Sequence, residues 1–308
     1  MWAKSFCPGH ITGFFEICDR SDDPLKRGSR GAGLSTKRGV TTEVTIQKSS
    51  SPRVDVSING RPDLAPVTRS VINYISEMSE KLGTAYTKVN HQSLVPVGSG
   101  MGSSGAGAWG TALALNQLLS LNLTNDRIGQ IAHRAEVENK TGLGTVIAQQ
   151  RGGIEIRTSP GGPGIGHVDQ IPFNPDLRVV CSSSGAISTK SMLSDPNTRA
   201  SINRFGGELV ERIMNNASPK ALMQLSREFS EQTKLPSENV KTGLRMLDEE
   251  GFHDCSMALF GETIFSMVWE DETEAVTKVL KNWNKQGETF STEIEITGAR
   301  IVGCEKND

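Results

Sequence analysis

Ten residues between Gly98 and Gly107, GSGMGSSGAG, carry the strongest chemical signal in this sequence. Glycines leave backbone N–H groups unshielded, so such a loop can wrap around phosphate oxygens. The helix expected after it adds about half a positive charge at its N-terminus. Ser103 and Ser104 supply hydroxyls able to bond a phosphate or ligate magnesium. No Lys-Ser or Lys-Thr pair follows the last glycine, so this is not a Walker A loop. A G-x-G-x-x-G spacing runs through Gly100, Gly102 and Gly105. It lacks an acidic residue on a strand end about 20 residues on, which leaves NAD(P) binding as a poor alternative. A plain glycine-rich packing turn is the bland one.

Four further positions could do chemistry. Glu136 and, one helical turn before it, His133 share a helix face. On its own, Glu136 could equally pair with Lys140 at i,i+4 on an exposed face, worth a few tenths of a kcal/mol. Arg157 follows a Gly-Gly pair, and its guanidinium could grip a carboxylate through two parallel hydrogen bonds. His10 lies early in the chain, where a structural histidine is an equal reading. Cys7, Cys18, Cys181, Cys255 and Cys304 form no C-x-x-C pair and read as small buried hydrophobes without a mechanistic part.

These residues need elements to position them. ITGFFEI (11–17), GVTTEVTI (39–46), RVDVSI (53–58) and AYTKVNHQ (85–92) have the β-branched and aromatic content of strands. GSRGAGLS (28–35) reads as a glycine-rich interruption that permits a tight turn and close backbone approach. A helix is expected over about 66–82. The glycine-rich loop spans 96–110 and runs into TALALNQLLSL (111–121), apolar nearly all round and therefore a core helix. Another helix runs from Asn125 to about Lys140, capped by Thr124 and ended by the GLG at 142–144. IEIR (154–157) reads as a strand and SPGGPGIG (159–166) as a turn, with a domain boundary beside it. Beyond it come LRVVCS (177–182), helices near 196–216, 218–232 and 237–250, SMALFG (256–261), TIFSMVW (263–269), a helix at 272–283 and EIEITGARIV (293–302). The fold class is α+β in two lobes, 1–165 with the loop and 166–308.

Composition narrows the function. The chain has 308 residues, 33 basic against 35 acidic for a net charge of −2, and 36% hydrophobic residues. A nucleic-acid binder would show a basic excess. No run approaches the roughly 18 apolar residues of a membrane span, and MWAKSFCPGH turns polar too early for a secretory signal. A cytoplasmic protein without nucleic-acid or membrane partners is expected.

Three segments together resemble the GHMP kinases: PGH (8–10) on the first strand, GMGSSGAG (100–107), and the more degenerate SMALFGETIFSMV (256–268). Within that superfamily the sequence is similar to the archaeal pantoate kinases over most of residues 4–190, in FCPGHITGFFEI (6–17), DPLKRGSRGAG (23–33), AHRAEVENKTGLG (132–144), AQQRGGIEIR (148–157) and PGGPGIG (160–166). The resemblance implies the GHMP kinase fold, with a left-handed β-α-β unit in the N-terminal lobe and a ferredoxin-like C-terminal lobe. It implies ATP and Mg²⁺ as cofactors, and transfer of the γ-phosphoryl group to the primary hydroxyl of pantoate, towards coenzyme A. By the same mapping Gly98, Gly100, Met101, Gly102, Ser103, Ser104, Gly105 and Ala106 would bind ATP, and Ser104 and Glu136 would hold the metal. His10, Ser29, Arg30, His133 and Arg157 would bind the substrate. The expected partner is a small hydroxy acid, and a homodimer is the assembly entertained.

One position departs from the family pattern. Pantoate and mevalonate kinases carry an aspartate, taken as the general base, where this sequence has Thr145. A threonine cannot accept a proton at neutral pH. Three explanations stay open: a loose transition state that needs little base, a different acceptor, or a catalytically silent nucleotide sensor. Mevalonate 3-phosphate, phosphorylated at its 5-hydroxyl, is the alternative acceptor. Its extra phosphate would call on Lys26, Arg27, Arg30, Lys37 and Arg38.

Overall fold

The computed structural model describes residues 1–186 and 194–306. The C-terminal lobe expected over 166–308 thus extends into 187–193 and 307–308, outside the described residues. Two long strands, β1 (Trp2–Cys18) and β2 (Gly28–Lys48), pair antiparallel from Trp2 opposite Thr45 to Cys18 opposite Gly28. Next come β3 (Arg53–Ile58), β4 (Arg61–Pro62), α1 (Pro66–Ser76), α2 (Glu80–Gly83) and β5 (Ala85–Ser93). The loop-following helix is α3 (Ser103–Leu119), then α4 (Asn125–Asn139), α5 (Thr145–Arg151), β6 (Ile154–Ser159) and β7 (His167–Ile171). The chain continues through β8 (Leu177–Ala186), α6 (Pro196–Asn215), α7 (Pro219–Thr233), α8 (Glu238–Glu249), β9 (Cys255–Ala258) and β10 (Gly261–Trp269). It closes with α9 (Thr273–Trp283), β11 (Glu288–Glu293) and β12 (Arg300–Glu305).

The α+β class expected from the sequence holds. The larger sheet runs β12-β1-β2-β5-β3-β4, with β6 on the free flank of β2 and β7 on β6. β3 and β5 pair in parallel across α1, which makes the β-α-β unit. The second sheet, β11-β8-β10-β9, is antiparallel. Strands β7 and β12 follow residue 166 in the chain but join the larger sheet. One core lies where α1, α3 and α4 cover that sheet, around Val44, Val89, Trp109, Leu115 and Ile128. Another joins the sheets through Phe14, Ile154, Phe229 and Phe265. No helix among the described residues is long and apolar enough to cross a membrane.

Several local expectations need correcting. GSRGAGLS is not a turn but the start of β2. Its glycines serve close approach: a Cβ on Gly31 would strike Phe14 O, and one on Gly33 would strike Ile11 O. Helix α3 begins at Ser103, eight residues before the apolar run, because the small residues of SSGAGAWG sit against the sheet. There Gly107 would put a Cβ 3.2 Å from the His91 ring. The helix over 66–82 breaks after Ser76 into two. The segment 293–302 divides between β11 and β12. Helix α5 and strand β7 were not anticipated, since both are short and lie among glycines. Thr124 does cap α4, accepting from the Arg127 N–H at 3.4 Å. Three cysteines are buried as expected, Cys18 is half-buried and Cys304 is exposed.

His91, on β5, illustrates what this packing costs. Its ring nitrogens meet only hydroxyls, Thr42 Oγ1 at 2.8 Å and Thr68 Oγ1 at 3.0 Å. Burial pushes its pKa down to about 4 from the ordinary 6.5, against a small upward pull from Asp63. The unfolded chain therefore takes up the proton first as the solution is acidified. Stability is fully present above pH 6.5 and is lost as pH falls towards about 4. The loss should approach about 3 kcal/mol. Urea unfolding across this range should show it, and His91→Gln should flatten that part of the slope.

Candidate active site

The glycine loop joins β5 to α3. Gly98, Gly100 and Gly102 take positive φ of 78°, 78° and 68°, which side chains rarely adopt. Gly102 is the N-cap of α3 and has no side chain to cap it, so the first-turn N–H groups remain available for an anion. Other elements lock the loop. Met101 O accepts from the His10 N–H at 3.0 Å. Gln149 Nε2, on α5, donates to Gly102 O and Pro8 O, both at 2.9 Å. The turn between β9 and β10 closes over it: a Cβ on Gly100 would strike Leu259 O, and one on Gly261 would strike Ser99 O. The three motif segments, far apart in sequence, thus meet at one place.

They enclose a cleft of about 320 Å³. Its lining comprises His10, Thr12, Phe15 and Ser29 from β1 and β2, and Val97, Gly98, Gly100, Met101, Gly102, Ser103 and Ser104 from the loop. Glu136, the Thr141–Thr145 turn, Leu259 and Phe260 complete it. Of the expected loop residues, Gly105 and Ala106 lie within α3 and are buried behind this surface.

Glu136 makes no pair with Lys140. It is only 2% exposed, and its Oε1 accepts from Ser104 Oγ at 2.5 Å and Thr141 Oγ1 at 2.7 Å. Burial pushes its carboxyl up, and the two hydroxyls pull back. A carboxylate so placed, answered by neutral groups, suits a divalent cation. Ser104 Oγ and Glu136 Oε1 are hard oxygen donors, and Mg²⁺ takes few of these from protein when phosphates and water supply the rest. Among the described residues no cluster of three His, Cys, Asp or Glu forms an all-protein metal cage.

Ser29 and Arg157 both lie against Gly144. A Cβ on Gly144 would strike Ser29 Oγ and lie 2.7 Å from Arg157 Nε. Arg157 itself is 1% exposed and lies one layer behind the lining. Its Nη1 donates to Glu155 Oε1, which also meets His10 Nε2 at 3.1 Å. Burial depresses the pKa of Arg157, and Glu155 opposes this. His10 Nδ1, Glu155 Oε2 and Arg157 Nε are buried without a partner among the described residues. Glu155 was missed from sequence, although Glu155 and Arg157 stand two apart in a strand and so share one face.

Thr145, the first residue of α5, lines the cleft beside Gly102 and brings no carboxylate. His133 and Arg30 lie away from the lining. His133 is buried with Nε2 2.8 Å from Arg27 O, holding the β1–β2 connection; burial depresses its pKa against carbonyls of Arg27 and Pro24. Arg30 binds Glu16, Glu211 and Thr158 O. Lys37 pairs with Glu293 and Arg38 with Glu288, each at 2.5 Å, and Arg27 Nε donates to Ser21 O at 2.6 Å. Lys26 is exposed. Among the described residues neither lysine nor arginine lines the cleft.

A second, apolar cavity of about 190 Å³ abuts the first. Val40, Ile58, Ala65, Val67 and His91 line it, and it shares Val97, Ser103, Ser104 and Thr141 with the cleft.

Similarity to known proteins agrees with this geometry. Residues 69–153 match the family model of the GHMP kinases N terminal domain. The chain is 35% identical over 286 residues to the pantoate kinase of Thermococcus kodakarensis, covering 92% of this chain and 93% of that one. It is 33% identical to the pantoate kinase of Methanocaldococcus jannaschii, covering 90% and 97%. A solved structure described as a phosphotransferase related to the CoA biosynthesis pathway superposes with a TM-score of 0.88 at 32% identity, over 98% of this chain and 100% of the other.

The buried Arg157–Glu155 pair carries its own expectation. Arg157→Ala would strand the Glu155 carboxylate in the interior, and breaking a buried pair in this way costs about 3–5 kcal/mol. Denaturant unfolding of the variant should show a loss of that size.

Proposed function

The chain belongs to the pantoate kinase family of the GHMP kinases, and on that premise we propose how its cleft carries out the reaction. The activity is ATP-dependent phosphoryl transfer to an alcohol, and the acceptor is pantoate, phosphorylated on its primary hydroxyl. The triphosphate lies along Gly98 to Ser104, with free amides at the start of α3 taking its oxygens. The adenine end enters the apolar cavity that shares Ser103 and Ser104 with the cleft. Ser104 and Glu136 would hold Mg²⁺, which supplies charge neutralisation on the β- and γ-phosphates. The contact between Ser104 Oγ and Glu136 Oε1 carries this reading, because it joins the anion-binding helix end to a buried carboxylate.

The acid lies at the opposite end, against Ser29 and His10. Arg157, behind Gly144, contributes positive potential and an Nε–H that has no partner among the described residues. Arg30 and His133 act in this scheme as supports for β2 and its connection, not as ligands. The mevalonate 3-phosphate alternative asks for free cations at the acceptor. Arg30, Lys37 and Arg38 are committed to carboxylates instead, and among the described residues no lysine or arginine lines the cleft. Family membership and the retained Ser104, Glu136 and Arg157 likewise favour turnover over a silent sensor. The same reading puts the enzyme in the cytoplasm, with its ATP.

A coupled assay with ATP, Mg²⁺ and pantoate should give phosphopantoate, with mevalonate 3-phosphate turned over far more slowly. No product from pantoate would sink the proposal. Glu136→Gln should lower kcat on the order of 10²-fold by removing charge that places the metal. An unchanged kcat in a destabilised protein would make Glu136 merely structural. Any Arg157 variant that stays folded, such as Arg157→Lys, should raise the KM for pantoate and leave the KM for ATP nearly unchanged.

A further inference from the structure

We propose that His10 is the general base that takes the proton of the acceptor hydroxyl, and that Glu155 is the positioning residue that orients it. This rests on the cleft being the phosphoryl-transfer site. Among the described residues of the lining, only His10 and Glu136 carry an imidazole or a carboxylate. Glu136 has its Oε1 committed to Ser104 and Thr141 at the metal end. Thr145 shares the lining but cannot serve as a base.

The surroundings of His10 select its tautomer. Glu155 Oε1 also receives Arg157 Nη1, so it remains an acceptor, and His10 Nε2 must be the donor at 3.1 Å. The lone pair is then left on Nδ1, which is buried and has no partner among the described residues. An unmet buried nitrogen costs about 1–3 kcal/mol, a cost that a substrate hydroxyl would offset. The ring is held from two more sides. The backbone N–H of His10 donates to Met101 O, and a Cβ on Gly33 would lie 2.9 Å from Nε2. The charged groups around it are Glu155 and Arg157 from β6, and Glu136 from α4 on the same cleft.

The step balances simply. The hydroxyl oxygen forms a bond to the γ-phosphorus as the bond from that phosphorus to the bridging oxygen breaks and ADP leaves. The hydroxyl proton passes to Nδ1, giving an imidazolium held against Glu155, and is later lost to water. A carboxylate behind a histidine in this way fixes its orientation and stabilises the cation that forms.

The test measures kcat and both KM values from pH 5 to 8, the interval in which a histidine changes charge. Wild type, His10→Asn and Glu155→Gln are compared, with ATP, Mg²⁺ and pantoate. Wild-type kcat should rise with pH along an acidic limb. His10→Asn should lower kcat about 10²–10⁴-fold, remove that limb and leave the KM for ATP unchanged. Glu155→Gln should keep part of the rate and shift the limb to lower pH, because the imidazolium loses its counter-charge. A His10→Asn enzyme with the wild-type limb would overturn the assignment, as would a rise in the pantoate KM alone. Should both variants fail to fold, a wild-type kcat that is flat over this interval would overturn it too. A wild type that leaves pantoate unphosphorylated overturns this assignment together with the reading it rests on.

Discussion

A carboxylate taken out of water must be answered by something, and in this protein Glu136 is answered by two hydroxyls. Neither Ser104 nor Thr141 brings a charge, so burial wins and the carboxyl is held above its ordinary range. The arrangement also ties the first turn of α3 to the last turn of α4, across the point where the helix end can receive an anion. The hydroxyl–carboxylate contact is therefore a structural joint, and it is the feature on which the proposed magnesium–nucleotide site rests.

The opposite end follows a different rule. Glu155, His10 and Arg157 form a buried cluster in which one carboxylate oxygen serves two donors. Such a cluster is stable only while every member stays, since losing one partner leaves a charge without compensation. Of the three atoms without a partner among the described residues, Arg157 Nε lies against Gly144, and His10 belongs to the cleft lining. The lining thus combines these polar groups with Phe15, Leu259 and Phe260.

Much of the fold was readable because its signals are local. The span of α4 after its Thr124 cap, that of RVDVSI as β3 and the apolar run of α3 all depend on neighbours in sequence. Glycine misled where its purpose was tertiary. In GSRGAGLS the glycines do not bend the chain; they let β1 lie against an unbroken β2. The site was partly readable for the same reason. The phosphate loop is one contiguous word, whereas Glu155 earns its place only through residues 145 positions earlier in the chain, on β1.

By itself the sequence determined the chemistry available: an anion-binding loop, a helix behind it, a glutamate one segment on, and a threonine where a carboxylate base is customary. The loop and helix follow from residue type and short spacing, and the weight given to the glutamate and the threonine from the family resemblance. Only the tertiary structure decided which side chains reach one another. It turned Arg30, Lys37 and Arg38 towards carboxylates, seated His133 on the Arg27 carbonyl, and aligned β1 with β6 across β2 so that His10 meets Glu155. The physical reason is that burial and pairing are properties of surroundings, and a strand's surroundings are set by the register of its neighbours.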